Sequence, residues 1–375
     1  MKLICLQENL KRGLNIVGHA TSKNINLPIL NNILIKAQQG NIEFISTNLE
    51  IGVKHQVRGK IESEGEFTVD AKLITEYVNL LTSGEKVEIQ EKENELRVES
   101  GNYKTKIKGE SAKDYPLIPS ISEENAYVCD FNELKKALAS VVFAVSNNDN
   151  RVELTGVLFT FNKKNLSLAA TDSYRLAEKN IKLKKGKEGE EEKVIVPAKT
   201  IQELLRIFNN FDLNQEAENL DQVKICLSDN QILFSFDSVS LISRIINGRY
   251  PDYKQIIPNK SQTEVLVNRQ EMIRAIKAVS LFSKTGINDI TAIFLKNKIS
   301  LSAFSGSSGE SQVDLEADVK GGDNEITINY RYLLDGFNNI NTENVVIKVI
   351  NNTTPCVLKP EKDDSYVYIV MPIRQ

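Results

Sequence analysis

A chain of 375 residues is long enough for two or three domains with a substantial buried core. Its composition, 41% hydrophobic and 26% charged, is that of an ordinary globular protein and excludes wholesale disorder. The net charge of −3 provides no general attraction to nucleic acid, so any such partner must be met by locally placed charge.

From Met1 to Leu14 charges interrupt the apolar positions too early for a signal peptide. No stretch approaches the roughly 18 consecutive apolar residues of a membrane span, and a cytoplasmic protein without a membrane partner is expected. Leu6, Leu10, Leu14 and Val17 recur at helical spacing and predict a helix within 6–20. A second helix is predicted over 70–84, with Asp70 as its N-cap. Alternating residues at 86–90 and 95–100 then predict strands. The run Asp114-Tyr-Pro-Leu-Ile-Pro119 resists both helix and sheet and suits a connector.

The same series begins again. A helix is predicted over 130–146 from Leu134, Leu138, Val141 and Val145, followed by strands at 157–161 and 166–170. Lys182 to Lys193 is a low-complexity charged run expected to form a solvated hairpin loop. A helix over 197–211 has Pro197 at a first-turn position, and its Ala198-Lys199 matches Ala71-Lys72 of the earlier helix. After a strand at 231–236 the connector returns as Asp252-Tyr-Lys-Gln-Ile-Ile-Pro258. A third round carries a helix over 268–284 with Met272, Ile276, Val279 and Phe282. It continues with a strand at 299–304, a Ser/Gly-rich loop at 304–309, a helix over 329–340 and a strand at 345–350. Helix order, strand filling and terminator recur together. The reading is therefore an α+β protein of three repeated domains, each with two helices packed on antiparallel sheet, at 1–122, 123–255 and 256–375.

Chemistry-bearing patterns are sparse. Cys5, Cys129, Cys226 and Cys356 lie scattered in apolar, strand-like contexts and suit buried, reduced thiols. His19 and His55 have no metal-ligand spacing around them. Phosphate-binding glycine motifs and a nucleophile elbow are both missing. The expectation is a binding protein with no catalytic residue, metal or cofactor; a catalytic protein with an unfamiliar site is the rival class. The six helical stretches hold 12 Lys and Arg against 8 Asp and Glu, a balance of +4, which leaves −7 for the rest of the chain. A mildly basic helical layer suits phosphates without base readout. Absence of Trp argues against a platform that stacks single strands.

Six segments resemble the bacterial DNA sliding clamp family, the beta subunit of DNA polymerase III. They are Leu27-Pro-Ile-Leu-Asn-Asn-Ile-Leu34, Ser46-Thr-Asn-Leu-Glu-Ile51, Ala170-Thr-Asp-Ser-Tyr-Arg-Leu-Ala177, Val194-Ile-Val-Pro-Ala-Lys199, Gly248-Arg-Tyr-Pro-Asp-Tyr253 and Tyr368-Ile-Val-Met-Pro-Ile-Arg374. The resemblance implies the DNA clamp fold and a homodimer closed head to tail into a ring. Duplex DNA threads such a ring independently of sequence. DNA polymerase III, other polymerases, the clamp loader and repair proteins dock on it through short peptides. A module that grips DNA without encircling it is the alternative.

Carried onto this sequence, the resemblance places a partner-peptide cleft at Leu154, Thr171, Tyr174, Arg175, Leu176, Pro251, Ile256, Ile369, Met371, Pro372 and Ile373, with Asn329, Tyr332 and Arg374 at its margins. DNA-facing positions are Lys23, Asn24, Lys72, Lys136, Arg151, Lys199, Arg206, Arg274 and Lys277. The dimer edge is Lys104, Lys106 and Ile107 against Leu281 and Phe282, where either lysine can meet Glu310 or Asp314. The chain departs from the family pattern at Ser173-Tyr174, where Gly-His is common. It also lacks paired aromatics after Arg151, and has Asn24 where some members carry arginine.

Overall fold

The computed structural model describes residues 1–22, 26–213, 221–258 and 260–374. Among them are six α-helices: α1 (Gln7–Val17), α2 (Ala71–Leu80), α3 (Phe131–Val142), α4 (Ala198–Leu213), α5 (Arg269–Ser280) and α6 (Tyr330–Asn339). Each coincides with a predicted stretch to within a few residues. The Asp70 side chain accepts a hydrogen bond from the Leu73 amide at 2.7 Å, capping α2 as expected. Pro197 instead ends the strand Glu192–Pro197, one residue before α4 begins. None of the described helices is long and apolar enough to cross a membrane.

The chain divides into two compact units. The first comprises Met1–Leu134, Leu183–Glu188 and Lys199–Ile245. One of its sheets is an antiparallel run of eight strands: Gly65–Asp70, Asn32–Gln38, Asn41–Thr47, Ile51–Val57, Val239–Arg244, Gln231–Phe236, Gln222–Leu227 and Tyr127–Asp130. Its other sheet orders Gly59–Ser63, Lys2–Leu6, Lys86–Lys92, Glu95–Ser100 and Tyr103–Glu110. The apolar face of α1, Leu10, Leu14 and Val17, is fully buried, and Phe131 meets Phe208 edge-on at 4.5 Å.

The second unit comprises Lys135–Lys182, Gly189–Ala198 and Ile246–Gln375. Its long sheet runs Glu192–Pro197, Gly156–Phe161, Asn165–Thr171, Arg175–Lys185, Tyr366–Val370, Cys356–Pro360, Asn344–Val349, Thr263–Asn268 and Asp318–Gly321. A separate sheet orders Asn324–Asn329, Asp289–Leu295, Lys298–Ser305 and Gly309–Glu316. Helix α6 approaches the long sheet closely because residue 336 is glycine; a Cβ there would lie 2.4 Å from the Tyr368 ring.

Strand pairing, rather than sequence repeat, sets these compact units, so the predicted central repeat contributes to both. The low-complexity run is also less loop-like than its composition suggests. The strand Arg175–Lys185 extends into it, and Leu183 and Lys185 pair with Cys129 and Val128. All four cysteines are buried, and burial pushes the thiols of Cys5, Cys129 and Cys356 up to about 12.

His55 is buried opposite Val239 on the paired strands. Its Nδ1 lies 3.3 Å from the Ser238 carbonyl oxygen, so Nδ1 carries the proton. Burial first, and the Arg12 charge second, depress its pKa from 6.5 to about 4. The unfolded chain binds the proton more tightly. Stability is therefore complete above pH 6.5 and declines as pH falls toward 4, by up to about 3 kcal/mol. Urea titrations of wild type and His55→Gln across this range are expected to show a steeper loss for wild type.

Candidate functional site

The site is built around one turn of the second unit. Asp172 Oδ1 accepts from the amides of Tyr174 at 2.9 Å and Arg175 at 3.0 Å. The Thr171 hydroxyl donates to the Arg175 carbonyl at 2.6 Å and accepts from the Ser173 amide at 3.1 Å. These Asx- and Thr-based bonds close the turn locally, with Ser173 held at φ +80°. Strand Tyr366–Val370 continues into the tail, where the Met371 amide donates to the Tyr174 carbonyl at 2.8 Å and the Ile373 amide to Thr327 at 2.8 Å. Turn, tail and the strand Asn324–Asn329, which leads into α6, thus meet.

Arg175 ties them together and is only 11% exposed. Its guanidinium donates to Asp172 at 3.0 Å, to the Phe143 carbonyl at 2.8 Å and to Asp335 of α6, and it lies 4.8 Å over the Tyr332 ring. The Tyr368 hydroxyl donates to the Tyr332 carbonyl at 2.8 Å. Burial raises the Tyr368 pKa well above its ordinary value, which keeps that donor protonated.

Of the expected cleft residues, Leu154, Leu176 and Ile369 are buried, the last two in one apolar cluster with Leu158, Ile195 and Tyr253. Thr171 is spent on the turn, and Asn329 caps α6 through the Arg331 amide at 2.9 Å. Pro251, Tyr332, Met371, Pro372 and Ile373 are half-buried; Ile256 and Arg374 are exposed. Tyr174 is 63% exposed, its ring nearly parallel to Tyr332 with centroids 6.4 Å apart. The result is an apolar, aromatic rim over a buried floor, with a few fixed polar groups. Among the described residues no three His, Cys, Asp or Glu side chains are grouped to hold a metal ion.

Comparison with known proteins finds the models of the DNA polymerase III beta subunit N-terminal domain at residues 1–119, central domain at 129–252 and C-terminal domain at 254–374. The chain belongs to the DNA polymerase III beta subunit family. The beta sliding clamp of Staphylococcus epidermidis is 28% identical over 372 residues, 96% of each chain. That of Synechococcus elongatus is 27% identical, over 100% of this chain and 99% of the relative. The crystal structure of the DNA polymerase sliding clamp from Bacillus subtilis superposes with a TM-score of 0.92, covering 100% and 99% of the two chains at 27% identity. The three-domain clamp fold and the family's function, a sliding clamp in DNA replication, are therefore this chain's.

Several residues take other places than the family resemblance gave them. Arg151, expected toward DNA, donates to Ser173 Oγ at 3.1 Å and to Glu153 at 3.0 Å, joining the cleft turn. Arg206 is not a free phosphate ligand: it donates to the α1 carbonyls of Asn15 at 2.8 Å and Ile16 at 2.6 Å and is held by Glu203. It thereby fills orphan acceptors at a helix C-terminus. Lys72, Lys136, Lys199, Arg274 and Lys277 are exposed on their helices, while Lys23 and Asn24 lie outside the described residues. Ile107 is buried in its own domain, since it falls on the inward face of its strand. Asp335 and Tyr250, whose hydroxyl accepts from the Thr171 amide at 3.1 Å, were not anticipated; nothing local in sequence marks a side chain that arrives from a distant element.

Two substitutions separate the roles in this cleft. Met371→Ala is expected to weaken a polymerase-derived peptide about tenfold by fluorescence anisotropy with sedimentation unchanged. Arg175→Leu, which strands Asp172 and Asp335, is expected to lower unfolding free energy by about 2–3 kcal/mol.

Proposed function

We propose that two copies of this chain close head to tail into a ring that encircles duplex DNA without sequence preference and carries polymerases and other partners in the Tyr174–Met371 cleft. The domains would be 1–122, 123–255 and 256–375, acting in the cytoplasm, and the chain would bring position rather than chemistry to the reaction.

A repeated sheet carries this reading. The half-sheet ending at Ile51–Val57 is completed by Val239–Arg244, and the half-sheet ending at Arg175–Lys185 by Tyr366–Val370. The half-sheet ending at Gly309–Glu316 has no such continuation among the described residues. Nor does Tyr103–Lys108 have a partner on its outer edge. Joining these two edges from different copies would build a third sheet of the same kind, and doing it twice would close a ring. In the two complete junctions Ile242 faces Gly52 and Ile369 faces Leu176. Counted from the hairpin pairs Ser100–Tyr103 and Phe304–Glu310, the same register would set Lys106 opposite Glu310.

Exposed apolar groups occur in both units. Leu73 and Leu80 of α2 and Tyr103 are exposed in the first unit; Leu281, Ile287 and Phe304 are exposed in the second. Two unlike patches suit a heterologous, head-to-tail contact. Lys104 already pairs with Glu99 at 3.0 Å, Lys106 with Glu95 at 3.9 Å and Asp314 with Lys298 at 3.0 Å. Exposed pairs of this kind contribute about 0–1 kcal/mol, so exchanging them across a junction is nearly neutral and sets register more than strength.

Lys104→Glu combined with Lys106→Glu is expected to shift sedimentation from dimer toward monomer, and Glu310→Lys to restore part of the dimer. A chain loaded by its clamp loader onto nicked circular DNA is expected to remain through gel filtration and to be lost once the circle is linearised. Equal retention on both forms would favour a module that grips DNA without encircling it.

A further inference from the structure

Helices α1 and α2 leave a cavity of about 770 Å³ between them, within the first unit and lined by none of the cleft residues. Its size falls in the range of roughly 300–1,000 Å³ that holds small molecules. Leu14 of α1 and its cap Gly18 line it, four residues apart and so on one face. Ala71, Thr75 and Asn79 of α2 line it with the same spacing, and the 3-10 turn Pro28–Asn31 adds Pro28 and Asn31. Gly18 and Ala71 together put no more than one methyl group into this space, which is why the two helices do not fill it.

Two buried polar atoms of these lining residues, Asn31 Oδ1 and Thr75 Oγ1, have no hydrogen-bond partner within the protein. The Asn31 oxygen can only accept, and the Thr75 hydroxyl can donate or accept. Gly18 is the α1 residue beside that hydroxyl, since a Cβ there would lie 3.5 Å from Oγ1, and glycine offers it no side-chain partner. A buried polar group left unpaired destabilises the fold, and a ligand that supplies the missing partner removes that penalty. Charges at the margin are already answered: Asp70 caps α2 through the Leu73 amide at 2.7 Å, and Lys72 lies 3.8 Å from Glu76. His19 also lines the cavity; partial burial, and then the Arg206 charge, lower its pKa and keep it neutral at pH 7. An ion in this cavity meets no buried counter-charge.

We propose that this cavity binds a small neutral molecule with an apolar body and a carboxamide group. A carboxamide carries both complementary functions, a donor and an acceptor, without charge. Its N–H donates to Asn31 Oδ1, its oxygen accepts from the Thr75 hydroxyl, and the apolar body packs on Leu14, Pro28 and Ala71. Such a ligand braces α1 against α2. The site rests neither on ring closure nor on the cleft.

The test is a ligand-observed NMR titration of the full chain with benzamide, using benzoate as the charged control and toluene as the donor-free one. Benzamide is expected to bind, and each control about tenfold more weakly. Thr75→Val is expected to weaken benzamide about tenfold, as the loss of one hydrogen bond would. The same substitution should keep or raise the melting temperature, because valine has the shape of threonine and removes an unpaired hydroxyl, so weaker binding cannot be assigned to misfolding. Asn79→Trp, at an exposed position on the cavity wall, is expected to block binding. No binding of benzamide, equal binding of benzoate or toluene, or undiminished binding to the Thr75→Val chain overturns the proposal.

Discussion

A strand edge carries unpaired amides and carbonyls, and this chain handles its edges in one way. Two half-sheets end on a strand that another half-sheet completes, Ile51–Val57 by Val239–Arg244 and Arg175–Lys185 by Tyr366–Val370. Because pairing fixes register residue by residue, it also fixes which turn lies beside which tail. The cleft follows from this. Tyr174 meets the Met371 amide only because Arg175 and Val370 are opposite one another. The proposed ring extends the same constraint to the two edges left over.

Rigidity at the cleft comes from placing a cation among acceptors supplied by three elements. The five donors of an arginine fork suit the Arg175 position, where two carboxylates, a helix-end carbonyl and an aromatic face converge. Lysine would satisfy fewer of them. The rim is more exposed than the floor: Tyr174 is exposed and Met371 half-buried, and Leu176 and Ile369 stay in the core.

The exposed positive charge of the helices is modest, which suits a sliding clamp. Arg206 is spent on the α1 carbonyls, which leaves the exposed helix charges, Lys72, Lys136, Lys199, Arg274 and Lys277, as the group facing outward from their helices. A modest set of flexible ammonium and guanidinium groups keeps phosphate contacts exchangeable, and tight contacts would oppose sliding.

The sequence by itself determined the elements and their repetition. Helical spacing, alternating strands and the twin connectors at Asp114–Pro119 and Asp252–Pro258 are local signals, and the six helices appear where those signals lie. It also marked the cleft turn, because Thr171 and Asp172 close it through bonds spanning four residues at most. Tertiary structure alone decided what depends on long-range pairing. It spent Arg206 on the α1 carbonyls and set Arg151 against Ser173. It turned Ile107 inward, drew part of the charged run after Lys182 into a strand, and delivered Asp335 to Arg175 from 160 residues away. The physical reason is that spacing along the chain encodes which face a side chain takes within its element. The partner it meets there is set by sheet register and helix docking, which no local pattern contains.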